Sequence, residues 1–197
     1  MTQLSRFGTA TIHEAIGQRG ALPSTLQPLR PGMRLAGPAF PVISPAGDNL
    51  MLHRAIQAAP RGSVVVADAG FDRVHGPWGD LMTLSAQAAG ISGLLIAGSV
   101  RDGDEIAEYG FSVFSCGTAI RGTTKVADLP VPSAVALGGV TIRPGDLVIG
   151  DADGCVVVAW EDEDDAVSKC EARAAKEAGI RERMSRGEAL QDIMGLT

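Results

Sequence analysis

Six short runs rich in valine, leucine and isoleucine constrain the fold of this chain more than any other feature of its sequence. They lie at residues 63–68, 94–97, 112–114, 139–142, 147–149 and 155–159. Runs of this length and composition, bounded by glycine, proline and aspartate, are typical of β-strands. The Asp-Ala-Asp-Gly turn at residues 151–154 separates the last two runs and predicts that they form an antiparallel hairpin.

Helical patterns separate and follow these runs. Residues 9–16 begin with threonine caps, residues 48–59 end at a Pro-Arg-Gly breaker, and a further helix starts near Asp80. The longest helix is predicted at residues 162–188, where acidic residues come first and basic residues last, as the helix dipole favours. We therefore expect an α+β chain with local hairpins rather than strict βαβ alternation.

Length and composition favour one domain that spans residues 1–197. No linker or break in composition divides the 197 residues, which are enough for one sizeable core. The net charge of −6 and the pI near 5.0 argue against a nucleic-acid partner bound through its phosphates. No run of 18 apolar residues and no charged-then-apolar leader is present, so neither membrane insertion nor secretion is expected.

The cysteines point to a reducing compartment. Cys116, Cys155 and Cys170 are odd in number, widely spaced and without a C-x-x-C pair. Neither a disulfide framework nor a zinc site is indicated by this spacing. We expect three buried thiols in a soluble, cytoplasmic protein.

Two segments concentrate the charged residues that could do chemistry: WGDLM at residues 78–82 and SVRDGDE at residues 99–105. The helix and strand between them can return both segments to one edge of a sheet. Arg101 offers a planar fork that matches a carboxylate, and Asp102 is a hard oxygen ligand for a magnesium-like cation. Gly79 would leave the backbone N–H groups of a helix start open to an anion. A small 2-oxo acid fits this set, but the same residues also suit an exposed ion pair and a helix start.

Other mechanisms have less support in the sequence. His13, His53 and His75 have no second histidine at metal-ligand spacing, so we expect them to be structural. No strand is followed by a G-x-G-x-x-G loop, and we do not expect a methyl donor to bind. None of the three lysines lies in an apolar strand that would lower its pKa for Schiff-base chemistry. Metal-assisted chemistry is therefore favoured.

The spacing of the charged residues resembles a known signature. Asp80 and Arg101 are separated by 20 residues, and two residues separate Asp102 from Glu105, which gives D-x20-R-D-x2-E. This resembles the class II pyruvate aldolases that cleave 4-hydroxy-4-methyl-2-oxoglutarate and 4-carboxy-4-hydroxy-2-oxoadipate. The resemblance implies a swivelling β/β/α architecture of the phosphohistidine-domain kind. It extends over nearly the whole chain, at residues 9–11, 35–39, 47–50, 64–68, 110–111, 121–122 and 143–146.

The resemblance also implies a reaction. The protein would be a divalent-metal-dependent lyase, using Mg²⁺ or Mn²⁺, that releases pyruvate and a second 2-oxo acid by retro-aldol cleavage. Asp102 would hold the metal, largely through waters, Arg101 would bind the substrate near the enolate charge, and Asp80 would act as general base by way of a water. The substrate carboxylate would be bound by the backbone N–H groups of Gly79, Asp80, Leu81 and Met82. Oxaloacetate decarboxylation would accompany this reaction, and a role in aromatic degradation is implied.

A second hypothesis comes from the same fold family. The regulators of ribonuclease E activity resemble these aldolases closely but act as non-catalytic, protein-binding inhibitors. They are expected to lack the acidic residue that is Asp80 in this chain. The chain also departs mildly from the aldolase pattern, because Ala97 stands where an aspartate is common, which bears on the outer shell of the metal.

The resemblance further implies an assembly, either a homotrimer or a hexamer of two trimers, with active sites at subunit boundaries. The helix at residues 162–188 is expected to lie at such an interface, because it carries a narrow stripe of small apolar residues. A neighbouring subunit would supply an acidic residue from its C-terminal region, for which Glu177 is the candidate. His53 would lie near the active site in a supporting role. The stripe consists of Val167, Cys170, Ala174, Ala178, Ile180 and Met184.

Overall fold

The structure is a computed structural model that describes residues 2–196. Its strands are β1 (Gln27–Pro28), β2 (Leu35–Ile43), β3 (Val64–Asp72), β4 (Gly93–Gly98), β5 (Ser112–Ser115), β6 (Val135–Leu137), β7 (Val140–Ile142), β8 (Leu147–Asp151) and β9 (Gly154–Val158). Its α-helices are α1 (Thr9–Ala15), α2 (Leu50–Ala58), α3 (Asp80–Ala89), α4 (Gly103–Glu108), α5 (Glu163–Ser185) and α6 (Leu190–Met194). Two 3₁₀ turns, Gln3–Arg6 and Trp160–Asp162, precede α1 and α5. The predicted mixture of helices and strands and the long C-terminal helix are confirmed.

Seven strands form one mixed sheet in the order β1-β5-β4-β3-β2-β8-β9, and β6 pairs with β7 separately. Strands β2, β3, β4 and β5 are parallel, with α2, α3 and α4 as their crossovers. The hairpin predicted around residues 151–154 is confirmed, since β8 and β9 are antiparallel neighbours. The strict βαβ alternation from β2 to β5 was not expected from the sequence. It arises because each strand there is followed by a helix that returns the chain to the same end of the sheet.

The segment before β2 brings the two edges of the sheet close together. Residues 20–22 pair with β9, since Val157 N–H donates to Gly20 O at 2.9 Å and Leu22 N–H donates to Cys155 O at 2.9 Å. A few residues later β1 pairs with β5. Gly20 is required at this turn, because its φ is +73° and a Cβ would lie 2.1 Å from Val157 O. The sheet is therefore nearly closed.

The core is built on both faces of the sheet. One apolar cluster lies under α2, α3 and α4, and it includes Leu52, Trp78 and Ile96. A second cluster fills the inside of the curved sheet, around Leu95 and Phe114. A third cluster joins α1, β8, β9 and α5. The two charged segments at residues 78–82 and 99–105, which follow β3 and β4, thus lie on a well-packed core.

The apolar packing of the C-terminal helix α5 is confined to its first third. Ala166, Val167 and Cys170 are buried against α1 and β9, and Arg173 forms an ion pair with Glu14. The later members of the predicted stripe are exposed or half-buried. An interface with a neighbouring subunit along this part of α5 therefore stays a prediction. Within residues 2–196, no helix combines the length and apolar character needed to cross a bilayer.

The three cysteines are free and buried, as predicted. Burial raises the pKa of each thiol. Buried thiols with raised pKa values are poor nucleophiles at neutral pH, because the thiolate is the reactive form.

Candidate active site

The start of α3 and the loop after β4 are joined through Trp78. Arg101 N–H donates to Trp78 O at 2.8 Å, which ties the two segments by their backbones. The Trp78 indole is fully buried, stacks on Phe111 with centroids 6.1 Å apart, and donates from Nε1 to Thr83 Oγ1 at 2.8 Å. The two charged segments are therefore held on a rigid base.

Asp102 caps α3. The Asp80 N–H donates to Asp102 Oδ2 at 3.2 Å, and Arg101 Nε lies 3.4 Å from the same oxygen. Asp102 adopts a left-handed φ of 55°, which is uncommon for a residue with a side chain. This arrangement bears on the predicted role of the helix start in binding a substrate carboxylate, which stays a prediction. The Asp80 N–H is taken by Asp102, which leaves the first-turn N–H groups of Leu81 and Met82 for an anion.

Gly79 makes this contact possible. A Cβ at position 79 would lie 2.3 Å from Asp102 Oδ2 and 3.0 Å from Arg101 Nε. The backbone of Gly79 is extended, with a φ of −144°, so the glycine is required by the close approach of the carboxylate and not by its own conformation.

Gly79→Ala is expected to displace the Asp102 carboxylate and lower turnover by at least about tenfold, while the free energy of unfolding changes by less than about 1 kcal/mol. The side chain that must move is flexible, so the damage should be local. Turnover and thermal unfolding measure the two effects. Gly8→Ala is the matched control, because Gly8 precedes α1 and a Cβ there would lie 3.6 Å from Asp151 Oδ2, an ordinary contact. Normal turnover in Gly79→Ala would show that Asp102 need not touch the helix.

Arg101 lies between two cavities. The Asp80 cavity has a volume of about 140 Å³ and the Asp102 cavity about 490 Å³. The Arg101 side chain is half-exposed and so able to reach a ligand in either one. The Asp80 cavity is lined by Asn49, His53, Pro77, Gly79, Asp80, Leu81, Met82, Arg101 and Lys125. The Asp102 cavity is lined by Arg30, Arg101, Asp102, Gly103, Asp104, Thr118, Ala119 and Ile120.

The structure therefore gathers the residues singled out in the two charged segments. Gly79, Asp80, Leu81, Met82 and Arg101 line one cavity. Asp102 lines the adjacent cavity, and Arg101 is shared by both. Their roles in binding and catalysis stay predictions.

Other predicted residues lie elsewhere. Glu105 is exposed on α4. Ala97 is fully buried in the cluster inside the sheet, so its methyl group packs with apolar side chains. Glu177 is engaged on its own helix, with Arg173 Nε at 3.0 Å and Arg181 at 2.8 Å. A role for Glu177 in a neighbouring active site stays a prediction.

Asn49 and Lys125 were not predicted as site residues. Asp48 holds in place the segment that carries Lys125. The Asp48 carboxylate accepts hydrogen bonds from the two residues that flank Lys125: from Thr124 Oγ1 at 2.6 Å and from Val126 N–H at 2.7 Å. Burial alone would raise the pKa of Asp48, but these hydrogen bonds and one from Leu50 N–H outweigh it and hold the pKa at about 2. The sequence signal that could have indicated Asn49 was the Gly-Asp-Asn-Leu segment at residues 47–50, one of the segments that resemble the aldolases.

The three histidines differ in their surroundings. His13 Nδ1 lies 2.9 Å from Arg19 O, and His75 Nδ1 lies 2.8 Å from Asp72 Oδ2, so both make local contacts. His53 lines the Asp80 cavity, in keeping with its predicted position near the site. Burial lowers the pKa of His53, and the positive charge of Lys125 lowers it further.

Asp102 is the residue that fits a hydrated divalent cation. Its side chain is one-third exposed, and Oδ1 forms no hydrogen bond within residues 2–196. No group of three or more histidine, cysteine, aspartate or glutamate side chains converges on one point in this described part of the chain. A magnesium ion that keeps most of its waters needs only one or two carboxylates together with oxygen atoms of the substrate. The donor set therefore fits weak, hydrated binding of Mg²⁺ or Mn²⁺.

The fold and the site define a class: a nearly closed α/β domain with an arginine and two aspartates gathered at a helix start. The family description "RraA-like: Aldolase/RraA" matches residues 9–157, and the chain belongs to this family. A relative from Halalkalibacterium halodurans is 35% identical over 89% of this chain and 83% of its own length. It carries the provisional name 4-hydroxy-4-methyl-2-oxoglutarate aldolase.

Solved structures show the same fold. An uncharacterized protein from Pseudomonas syringae pv. tomato is 31% identical, with a TM-score of 0.86 over 98% of this chain and 92% of that one. A second structure is RraAS2 of Streptomyces coelicolor, described as an unusual member of the RNase ES inhibitor RraA protein family. It is 27% identical, with a TM-score of 0.80 over 91% of this chain and 95% of that one. The similar proteins thus include one named as an aldolase and one described as a member of an inhibitor family.

Proposed function

We propose that this protein is a divalent-metal-dependent lyase that cleaves a 4-hydroxy-2-oxo di- or tricarboxylic acid into pyruvate and a second 2-oxo acid. The observation that carries the proposal is the position of Arg101 between Asp80 in one cavity and Asp102 in the next. This arrangement offers an anion site, a base and a cation ligand within reach of one small substrate. Oxaloacetate decarboxylation passes through the same enolate and should accompany the cleavage.

The residues of the chain divide the work between binding and proton transfer. The Arg101 guanidinium and the free N–H groups of Leu81 and Met82 bind the substrate carboxylate and oppose the negative charge that grows on the enolate. Asp80 receives the proton of the C4 hydroxyl and returns a proton to C3. Asp102 would hold a hydrated cation, which would supply Lewis-acid chemistry for the 2-oxo group. Lys125 adds a second positive charge beside the same cavity.

The alternative is a non-catalytic regulator that binds a ribonuclease. Its specific support is the likeness to RraAS2 of Streptomyces coelicolor, an unusual member of the RNase ES inhibitor RraA protein family, at 27% identity over most of both chains. Fold cannot separate the two functions, since one scaffold serves both. Asp80 favours the enzyme, because a carboxylate beside an anion-binding helix start repels a bound acid, and this weakening of acid binding is expected only where the carboxylate takes part in the chemistry.

The test is pyruvate release from the 4-methyl substrate, the 4-carboxy substrate and oxaloacetate, with and without a chelator. We expect cleavage of at least one substrate, its loss after exhaustive chelation, and its return with Mg²⁺ or Mn²⁺. The thermal unfolding midpoint should hardly change, because one carboxylate holds the metal and no structural metal site is involved. Full activity after exhaustive chelation would remove the metal from the mechanism.

A further inference from the structure

Two buried polar atoms, on residues that line the Asp80 cavity, have no hydrogen-bond partner within residues 2–196: Asn49 Oδ1 and His53 Nε2. The other end of the Asn49 amide is occupied, since Nδ2 donates to Pro77 O at 2.8 Å and contacts Met82 Sδ at 3.5 Å. The amide orientation is thereby fixed, and Oδ1 is left as an acceptor. A buried polar group without a partner costs about 1–3 kcal/mol, so two in one place require an explanation.

Both residues line the Asp80 cavity, and they are four positions apart at the start of α2. Asn49 immediately precedes the first residue of α2, and the His53 N–H donates to Asn49 O at 3.3 Å, so the two residues are one helical turn apart. Asn49 is 7% exposed, so its contacts must come from within the site. The lowered pKa of His53 keeps its ring neutral near pH 7, with one N–H donor and one acceptor nitrogen.

We propose that Asn49 and His53 are the residues that position the water through which Asp80 acts as general base on the C4 hydroxyl of the substrate. The inference rests on the proposed lyase function. The water donates to Asn49 Oδ1 and to Asp80, and it accepts from His53 Nε2–H and from the substrate hydroxyl. These four hydrogen bonds are the full set that a buried water makes, and they satisfy both unpartnered protein atoms.

The proton transfers and the bond cleavage need no other reactant. The hydroxyl proton passes to the water as a water proton passes to Asp80, and the C4–O bond becomes a carbonyl. The C3–C4 bond breaks, and its electron pair remains on the pyruvate fragment as the enolate. Asp80 then returns its proton through the water to C3, which gives the methyl group of pyruvate and restores the base. Asn49 and His53 are positioning residues, since they act through the water.

The test compares His53→Leu, His53→Gln and Gln57→Leu. Leucine removes the N–H, whereas the glutamine amide can donate from nearly the same place. Gln57 is an exposed residue one turn further along α2 and outside both cavities, so it controls for leucine on this helix. We expect His53→Leu to lower kcat at least about tenfold with KM changed less than about threefold, and His53→Gln to recover most of the loss.

A purely structural role for His53 predicts the reverse order, because leucine suits a buried site better than glutamine. The second measurement is exchange of the pyruvate methyl protons with D₂O, which needs the base but no carbon–carbon cleavage. It should fall in parallel with kcat in His53→Leu, at an unchanged unfolding midpoint. Wild-type kcat in His53→Leu, or equal losses in both His53 variants, overturns the inference and leaves the lyase standing. Wild-type protein without cleavage or exchange removes the lyase and this inference together.

Discussion

Asp80→Asn is expected to lower the rate of retro-aldol cleavage by about 10²–10⁴, the usual share of general acid–base catalysis. Asparagine keeps the shape of the side chain and leaves the backbone N–H groups of α3 in place. Binding of pyruvate and of metal should therefore survive, since Asp80 binds neither in the proposed mechanism. Steady-state kinetics on the three substrates measures the loss of rate, and calorimetric titration with pyruvate measures the binding that remains.

The control for Asp80→Asn must account for the helix dipole. An aspartate in the first turn of a helix stabilises it by about 0.3–1 kcal/mol through the partial positive charge there. Asp164 occupies the first turn of α5 and is exposed, so Asp164→Asn removes the same kind of charge away from the site. We expect similar small losses of stability in both variants and a loss of turnover in Asp80→Asn alone.

The Asp80→Asn variant also distinguishes the enzyme hypothesis from the regulator hypothesis. A ribonuclease inhibitor would act through its outer surface and would be indifferent to a carboxylate that lines a small cavity. Wild-type protein that binds pyruvate, cleaves none of the three substrates and inhibits a ribonuclease equally well with asparagine at position 80 would establish the regulator. Cleavage that depends on Asp80 would exclude ribonuclease inhibition as the sole function of the protein.

Arg101→Lys is expected to lower turnover by at least about two orders of magnitude, with little change in stability. Lysine keeps the positive charge but loses the planar fork that binds a carboxylate and stabilises enolate charge at the same time. The backbone bond from Arg101 N–H to Trp78 O does not depend on the side chain, and the side chain is half-exposed, so the fold should tolerate the change. Steady-state kinetics and thermal unfolding report the two effects.

Arg54→Lys is the matched control for Arg101→Lys. Arg54 lies on α2, makes a paired contact with the Asp128 carboxylate on the surface, and lines neither cavity. Its replacement also loses a planar fork, but away from the proposed site. Near-normal kinetics in Arg101→Lys would assign Arg101 to the surface ion pair that the sequence also allows.

The sequence predicted most elements but missed several, of which β2 is the longest; the others are β1, β6, α4 and α6. Pro38 and Pro41 disfavour a central strand at β2, because proline lacks the N–H that the hydrogen bonds of a sheet require. The structure avoids the conflict by splitting the pairing: residues 35–38 pair with β8, and residues 39–43 pair with β3. Each half of β2 thus pairs with one strand only. The side on which each proline lacks an N–H can then be the side without a paired strand. Only the tertiary arrangement reveals this division.

The sequence by itself determined the local features of this protein: short apolar strands, capped helices, the hairpin at residues 151–154, and the spacing that brings Asp80 near Arg101. These follow from side-chain periodicity and turn chemistry within a few residues. Tertiary structure alone decided that Asp102 caps α3 at Gly79 and that α2 brings Asn49 and His53 to the same cavity. These contacts join residues more than twenty positions apart, and they depend on which strands are neighbours in the sheet. Local sequence cannot specify that order, because it is fixed only when the helices pack onto the completed sheet.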